Sequence, residues 1–433
     1  MPIPLLLLIL ALLALALPAS AGASGYVPGE VIVRYEEGIT AGLAADARAD
    51  AGTVAERPLP GRSEQLAIED GDSVRETIAE LEQDPNVAYA VPNWKAHAAA
   101  QMPNDPAARR QWNLFQPWGI NLVEAWTHAE ALGAPGGRGA VVAVLDSGVA
   151  FEHRGRFRRA PDLRRRTFVR PYDFIENDRH PNDSHGHGTH VAGTIAQVTN
   201  NRVATAGIAY NAKIMPLRVL NDLGEGDSVA IARAIRYASR HGADVINLSV
   251  EFLPEVRGFE IPNILSALRY ARRRGVFVVG AAGNEAELAV AYPARASSVV
   301  AVGATTINGC QADYSNSGRD LDLVAPGGGP DAPNSDSAWD RAHCDPDSFG
   351  RPIFQQTFWP PRPRRFVLRG DFEGTSMAAP HVSAIAALLI ASERLGPNPS
   401  PRAVEAHLEA TARPTDRPDR YGAGLVDAGA ALR

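Results

Sequence analysis

The chain has 433 residues, 45% of them hydrophobic and 21% charged, which is enough apolar material for a sizeable core and too much for a disordered chain. The net charge is −6 and no long basic run occurs, so nucleic acid is set aside as a partner. Residues 24–100 hold 14 acidic and 6 basic residues, the remainder 35 and 37, so an acidic front unit precedes a nearly neutral body.

The chain begins with an apolar run, Leu5–Leu17, followed by Pro18 and the small-residue pattern Ala19-Ser20-Ala21. Thirteen apolar residues fall short of the roughly 20 that span a bilayer. The pattern predicts an export signal over residues 1–23, although its front carries no Lys or Arg; an uncleaved anchor is the alternative. The protein is therefore expected outside the cytoplasm, extracellular or periplasmic, with no membrane association after cleavage. Cys310 and Cys344 are the only cysteines, and in an exported chain an even count favours a disulfide over two buried thiols. Closing a loop of about 35 residues would contribute about 4 kcal/mol in the chain-entropy view.

Residues 24–100 read as a small independent domain. Val31, Val33 and Tyr35 alternate as a strand does, a weak helix follows over Ala41–Ala51, and two short strands flank the turn Pro60-Gly61. Val74, Ile78 and Leu81 share one helical face opened by Ser73 with Glu76, a capping box, and Val87–Val91 is the last strand. The order βαββαβ is ferredoxin-like, α+β. Lys95–Arg110 is polar and without periodicity, as a cleavable linker would be.

The body, residues 101–433, alternates the two periods. Val141–Leu145, Lys213–Leu220, Asp244–Val250 and Val276–Ala282 read as buried strands. Ser228–Arg240 and Asn263–Arg274 read as helices, the second closed by Gly275. The prediction is a doubly wound, mostly parallel α/β sheet. Gly327–Arg369 is expected to be a long Pro-rich loop. The chain stops soon after Tyr421-Gly422-Ala423-Gly424, so no appended domain is expected.

Chemistry in such sheets gathers at the carboxyl ends of the strands. Asp146 ends an apolar strand in Ala143-Val144-Leu145-Asp146-Ser147-Gly148-Val149; read alone, it could merely cap a turn. His187 opens a helix of small residues in Ser184-His185-Gly186-His187-Gly188-Thr189-His190. A metal site from His185, His187 and His190 lacks the spacing of a zinc-binding helix, and the glycines miss the phosphate-binding fingerprint. Ser376 precedes a long apolar helix in Glu373-Gly374-Thr375-Ser376-Met377-Ala378-Ala379-Pro380-His381, with Pro380 expected in the first turn; an ordinary N-cap serine is the plain alternative. Asn284 follows a buried strand and the small residues Ala281, Ala282 and Gly283.

Taken together, in the order Asp, His, Ser with a separate amide donor, these motifs resemble a subtilisin-family serine peptidase, or subtilase, closest in pattern to its secreted, thermitase-like bacterial members. The front unit, from Val27-Pro28-Gly29-Glu30 to Val91-Pro92-Asn93-Trp94, resembles that family's inhibitory propeptide. The resemblance implies Ser376 as nucleophile, His187 as base, Asp146 as its partner and Asn284 in the oxyanion hole. Peptide or protein substrate would lie extended between an edge at Gly224 and Gly226 and one at Ser249 and Val250, over a floor of Ala282 and Gly283. Glu251 stands where the family usually has Gly, and with Glu225 it would favour basic side chains unless both simply face solvent. The resemblance also implies structural calcium and no organic cofactor. A first site would use Asp105, Asp162 and Asn201 with carbonyls of Val198, Val203 and Thr205; a second would use Asp173, Glu176 and Asp178, with Asn182 nearby and His180 where an oxygen ligand is expected. An acidic loop facing solvent is the alternative for each. A monomer is expected, made as a zymogen that Ser376 cuts between about Ala96 and Pro103, with its propeptide as first inhibitor. A non-catalytic binding protein on the same fold and a dinucleotide-dependent enzyme are the competing readings; the intact residue set and the missing fingerprint speak against them.

Overall fold

The computed structural model describes residues 26–94, 102–164, 167–333 and 343–433. The signal segment and residues 95–101 of the linker, with most of the expected processing site, lie outside them. Among the described residues no helix is long and apolar enough to cross a membrane. The chain forms two compact units, Met1–Ala99 and Ala100–Arg433.

The first unit runs β1 (Tyr26–Tyr35), α1 (Ala41–Asp50), β2 (Thr53–Leu59), β3 (Ser63–Ile68), α2 (Val74–Leu81) and β4 (Val87–Trp94). Its antiparallel sheet has the order β2-β3-β1-β4. The alternation in β1 buries Val31, Val33 and Tyr35 on one face, against Leu66, Val74 and Leu81. Ser73 caps α2 as its sequence predicts, and Glu76 reaches back to the Ser73 N–H at 2.9 Å. A domain of this size buries only about 60% of its unfolded surface, so this single apolar layer leaves it marginally stable by itself.

The second unit runs α3 (Trp112–Phe115), α4 (Leu122–Ala131), β5 (Val141–Asp146), β6 (Tyr172–Asp173), α5 (His187–Ala196), β7 (Lys213–Arg218), α6 (Ser228–Arg240), β8 (Val245–Leu248), α7 (Pro262–Arg273), β9 (Phe277–Ala281), β10 (Val300–Thr305), β11 (Leu323–Pro326), β12 (Ile353–Phe358), β13 (Phe366–Phe372), α8 (Thr375–Ala391), α9 (Pro401–Thr411), α10 (Pro418–Tyr421) and α11 (Ala428–Leu432). Seven parallel strands lie in the order β11-β10-β9-β8-β5-β7-β6. Successive side chains of β5 feed opposite cores, as a sheet covered on both faces requires. Val142 and Val144 pack with Val191 and Ile195 of α5 and with Val382 and Ile385 of α8. Ala143 and Leu145 pack with Ile235 of α6 and Leu268 of α7. Because β7 and β8 flank β5 on opposite sides, the connections diverge at the carboxyl end of β5, where such sheets open a crevice.

One expectation is overturned. The segment Gly327–Arg369 is not a plain loop, because β12 and most of β13 fall within it and pair as an antiparallel hairpin. All six residues of β12 are buried, so no alternation marks the strand, and its polar residues are buried against partners distant in sequence. Thr357 donates to the Gly186 carbonyl at 2.6 Å, and Gln356 accepts from the Asp162 N–H at 3.3 Å. The hairpin therefore braces the start of α5. Cys310 and Cys344 form a disulfide ahead of this hairpin.

Candidate active site

Asp146, the last residue of β5, is fully buried. A carboxylate there needs partners, and His187 Nδ1 lies 2.7 Å from its Oδ1, which also accepts the Ser147 N–H at 2.7 Å. His187 is the first residue of α5. Only glycine fits beside it: a Cβ on Gly188 would come within 2.1 Å of the Gly148 carbonyl oxygen and 3.0 Å of Asp146 Oδ1. The imidazole plane is thus set by β5 on one side and by the helix start on the other.

A second buried carboxylate, which the sequence reading missed, organises that helix start. Asp183 Oδ1 accepts from Ser147 Oγ (3.0 Å) and from the N–H groups of His185 (2.9 Å) and Gly186 (2.8 Å). Its Oδ2 accepts from Thr189 N–H (2.9 Å) and Thr189 Oγ1 (2.6 Å). Ser147 Oγ in turn accepts the Gly188 N–H, and Thr189 Oγ1 the Ala150 N–H, so both hydroxyl protons point at Asp183. Burial pushes the Asp183 carboxyl up, and the five donors that converge on it oppose that by favouring the ionised form. Burial works against a charged His187, but the Asp146 carboxylate, its hydrogen bond and the Asp183 charge outweigh it, so His187 titrates above the usual histidine value. The only sequence signal was an Asp just ahead of a helix, a pattern shared by many turns.

Ser376 is the second residue of α8, with Gly374 in the cap position, so it is not itself an N-cap. Its N–H belongs to the first turn, where backbone donors have no intrahelical partner and the helix dipole favours negative charge. The Ser376 hydroxyl donates a long 3.4 Å bond to the Ser249 carbonyl, and Ser249 Oγ donates to the Ser376 carbonyl at 2.8 Å. Pro380 explains the second bond. It is the sixth residue of α8, not in the first turn as expected, and has no N–H for the carbonyl four residues back. Ser249 supplies the missing donor and ties the end of β8 to the start of α8.

Asn284, just past β9, turns its Oδ1 inward to accept from Thr375 N–H (2.8 Å) and Thr375 Oγ1 (3.1 Å). Its Nδ2 therefore points outward. His187, Ser376, Gly224, Gly226, Ser249 and Val250 line one cleft of about 700 Å³. Ala282 and Gly283 are not among the residues that line it. The Ala282 N–H and carbonyl pair with Val302 and Ala291, and those of Gly283 with the Thr375 hydroxyl and the Asn316 N–H. The three histidines of the competing metal reading do not converge among the described residues. His190 is buried with Nε2 3.2 Å from the Ile353 carbonyl and its ring stacked on Phe372.

The first expected calcium cluster is brought together. Asp105 and Asp162 are both buried. Asp105 accepts the N–H groups of Asn200 (2.8 Å) and Asn201 (3.0 Å). Asp162 accepts from Asn201 Nδ2 (2.5 Å), and its backbone carbonyl accepts the Val198 N–H at 3.0 Å. Burial, with the Asp105 charge adding to it, pushes the Asp162 carboxyl up to about 7 despite the amides that donate to it. Two buried carboxylates whose charges act on one another fit a divalent cation. Val203 donates its N–H to Asn201 Oδ1, while Thr205 Oγ1 hydrogen-bonds Gln355 Oε1.

The second expected cluster is bonded differently. Asp173 is committed to an ion pair with Arg218 at 2.9 Å and to the N–H groups of Ile175 and Glu176. Asp178 caps the His180 N–H, and His180 and Asn182 both turn to Glu152. Arg218 already neutralises Asp173, and the backbones of Asp173 and Asp178 pair with one another.

A nucleophile candidate at a helix start, a histidine held by a buried carboxylate and an outward amide around one cleft define a serine-type endopeptidase. The chain belongs to the subtilase family, whose model matches residues 137–424, and residues 15–93 match the fervidolysin N-terminal prodomain. It is 33% identical over 369 residues to a thermophilic serine proteinase from Bacillus sp. (strain AK1), covering 85% of this chain and 79% of that one. It is 34% identical to thermitase from Thermoactinomyces vulgaris, over 68% of this chain and 88% of that one. Among solved structures, one titled for proteases from Pseudoalteromonas arctica PAMC 21717 matches with a TM-score of 0.62 and 32% identity, covering 77% of this chain and 99% of that one.

Proposed function

We propose that the protein is a secreted serine endopeptidase, made as a zymogen, that cleaves peptide bonds through an acyl-enzyme formed on Ser376. The observation that carries this reading is the 2.7 Å pairing of His187 Nδ1 with buried Asp146 at the rim of the cleft that Ser376 lines. His187 takes the Ser376 proton as Oγ attacks the scissile carbonyl, then gives it to the leaving amine. Asp146 holds the imidazole with Nδ1 protonated and Nε2 directed at the reaction, and it stabilises the imidazolium. The negative oxygen of the tetrahedral intermediate is met by Asn284 Nδ2 and the Ser376 N–H. The carbonyl bond of Ser376 Oγ is long enough to be given up when substrate arrives.

Residues 24–100 act as the propeptide and 101–433 as the peptidase; the first remains as an inhibitor after Ser376 cuts the linker. A calcium ion held by Asp105, Asp162 and Asn201, with nearby backbone oxygens, would offset the two buried carboxylates and lock the segment that follows α5. The test pairs a fluorophosphonate probe with intact-mass analysis. Wild type should be labelled at Ser376 and found trimmed at the linker. Ser376→Ala should be unlabelled and keep its propeptide in a host free of other proteases. An unlabelled wild type would return the chain to a non-catalytic binding role, and trimming of the mutant would refute self-processing.

A further inference from the structure

The cleft carries acidic groups that the proposed chemistry does not use. Glu225, Glu251 and Glu285 all line it, and none has an ion-pair partner among the described residues. Two of them converge on Asn284, one at its side-chain amide and one at its backbone N–H. With Asn284 Oδ1 held by Thr375, Asn284 Nδ2 donates to Glu251 Oε1 at 3.1 Å. Glu285 Oε2 closes the group from the other side, accepting the Asn284 N–H at 3.0 Å and Asn316 Nδ2 at 2.8 Å. The donor proposed for the developing oxyanion is thus already occupied by a carboxylate. That carboxylate belongs to the residue after Val250, on one of the two edges between which extended substrate is expected to lie.

We propose that Glu251, backed by Glu285, is the specificity-determining residue of this cleft: it pairs with an arginine or lysine side chain on the substrate residue that supplies the scissile carbonyl, and in doing so releases Asn284 Nδ2 to the carbonyl oxygen. The inference rests on the peptidase reading above. A neutral side chain offers the carboxylate nothing in exchange for Asn284, so the carbonyl must compete with a charged acceptor for the same donor. A guanidinium or ammonium offers the carboxylate a charge-assisted partner in place of that amide. Leu220, Ile231 and Val250 on the cleft wall suit the methylene stem of a long basic side chain. Glu251 keeps an open outer edge, yet desolvation by the cleft and then the Glu285 charge push its carboxyl up to about 7. That is the mark of a negative group lacking a counter-charge, and an incoming cation would supply one.

The test uses the mature enzyme and matched fluorogenic peptides that differ only in the residue before the scissile bond: Arg, Lys, Leu or Phe. Wild type should cleave the Arg and Lys peptides with a kcat/KM at least about tenfold above the Leu and Phe peptides, and Glu251→Gln should bring the ratio close to one. Benzamidine should compete with the Leu peptide on wild type more strongly than uncharged benzamide, a comparison that needs no variant. Equal cleavage of all four peptides by an enzyme that the fluorophosphonate probe labels would overturn this inference and leave the peptidase reading standing. So would a basic preference undiminished in Glu251→Gln. Failure of both labelling and cleavage would overturn the peptidase reading and this inference with it.

Discussion

Asp183→Asn separates what holds His187, the proposed base, from what reacts. Asp183 is fully buried and takes five donors, three of them backbone N–H groups. Asparagine keeps the shape and one oxygen. If that oxygen serves Ser147, His185 and Gly186, the new amide group faces the Thr189 N–H and leaves it without an acceptor. A buried donor left unpaired costs about 1–3 kcal/mol, and the remaining bonds lose their charge assistance as well. Guanidinium denaturation of the Asp183→Asn, Ser376→Ala protein beside Ser376→Ala alone should show a lower midpoint at unchanged slope. The pH profile of active Asp183→Asn gives a second, independent readout. His187 must be neutral to act as base, so kcat/KM falls as pH drops through its pKa. The Asp183 charge raises that pKa by favouring the imidazolium, so its removal should shift the acid limb to lower pH. An unchanged midpoint together with an unmoved or raised acid limb would refute the idea that Asp183 anchors and charges the helix start.

Asn284→Ala should lower kcat about 10²–10³-fold with a small change in KM, because the lost bond is made to the transition state. For calcium, unfolding of Ser376→Ala protein in millimolar calcium and in excess chelator should differ by several degrees, since a ligand at about 100 times its Kd stabilises by about 2.7 kcal/mol. Asp105→Ala should abolish most of that difference, and equal melting temperatures in calcium and chelator would leave the site without a stabilising role.

The front domain was largely legible because its cues are local. The Ser73 capping box, the Pro60-Gly61 turn and the alternation in β1 each act over a few residues, and the helix and strands formed where those cues stood. The central strands were legible for the same reason: fully apolar runs bounded by turns admit few alternatives in a chain of this length. The hairpin of β12 and β13 was not, since Gln355, Gln356 and Thr357 answer to Thr205, Asp162 and Gly186, more than 140 residues away in sequence. Nor was the fate of the second acidic cluster, because Arg218, which neutralises Asp173, lies 45 residues on.

The candidate side chains Asp146, His187, Ser376 and Asn284 could be singled out from the chain alone, because each sits in a short run whose local pattern places it at a strand end or helix start. How those groups are held is set by contacts across the fold. Asp183 gathers a helix start through five bonds, Ser249 replaces the donor that Pro380 lacks, and Glu251 rests on the amide of Asn284. Each of these is a contact between segments that meet only when the parallel sheet brings separate strand ends to one crevice. Hydrogen bonding between such segments depends on position in space, and no local pattern along the chain records it.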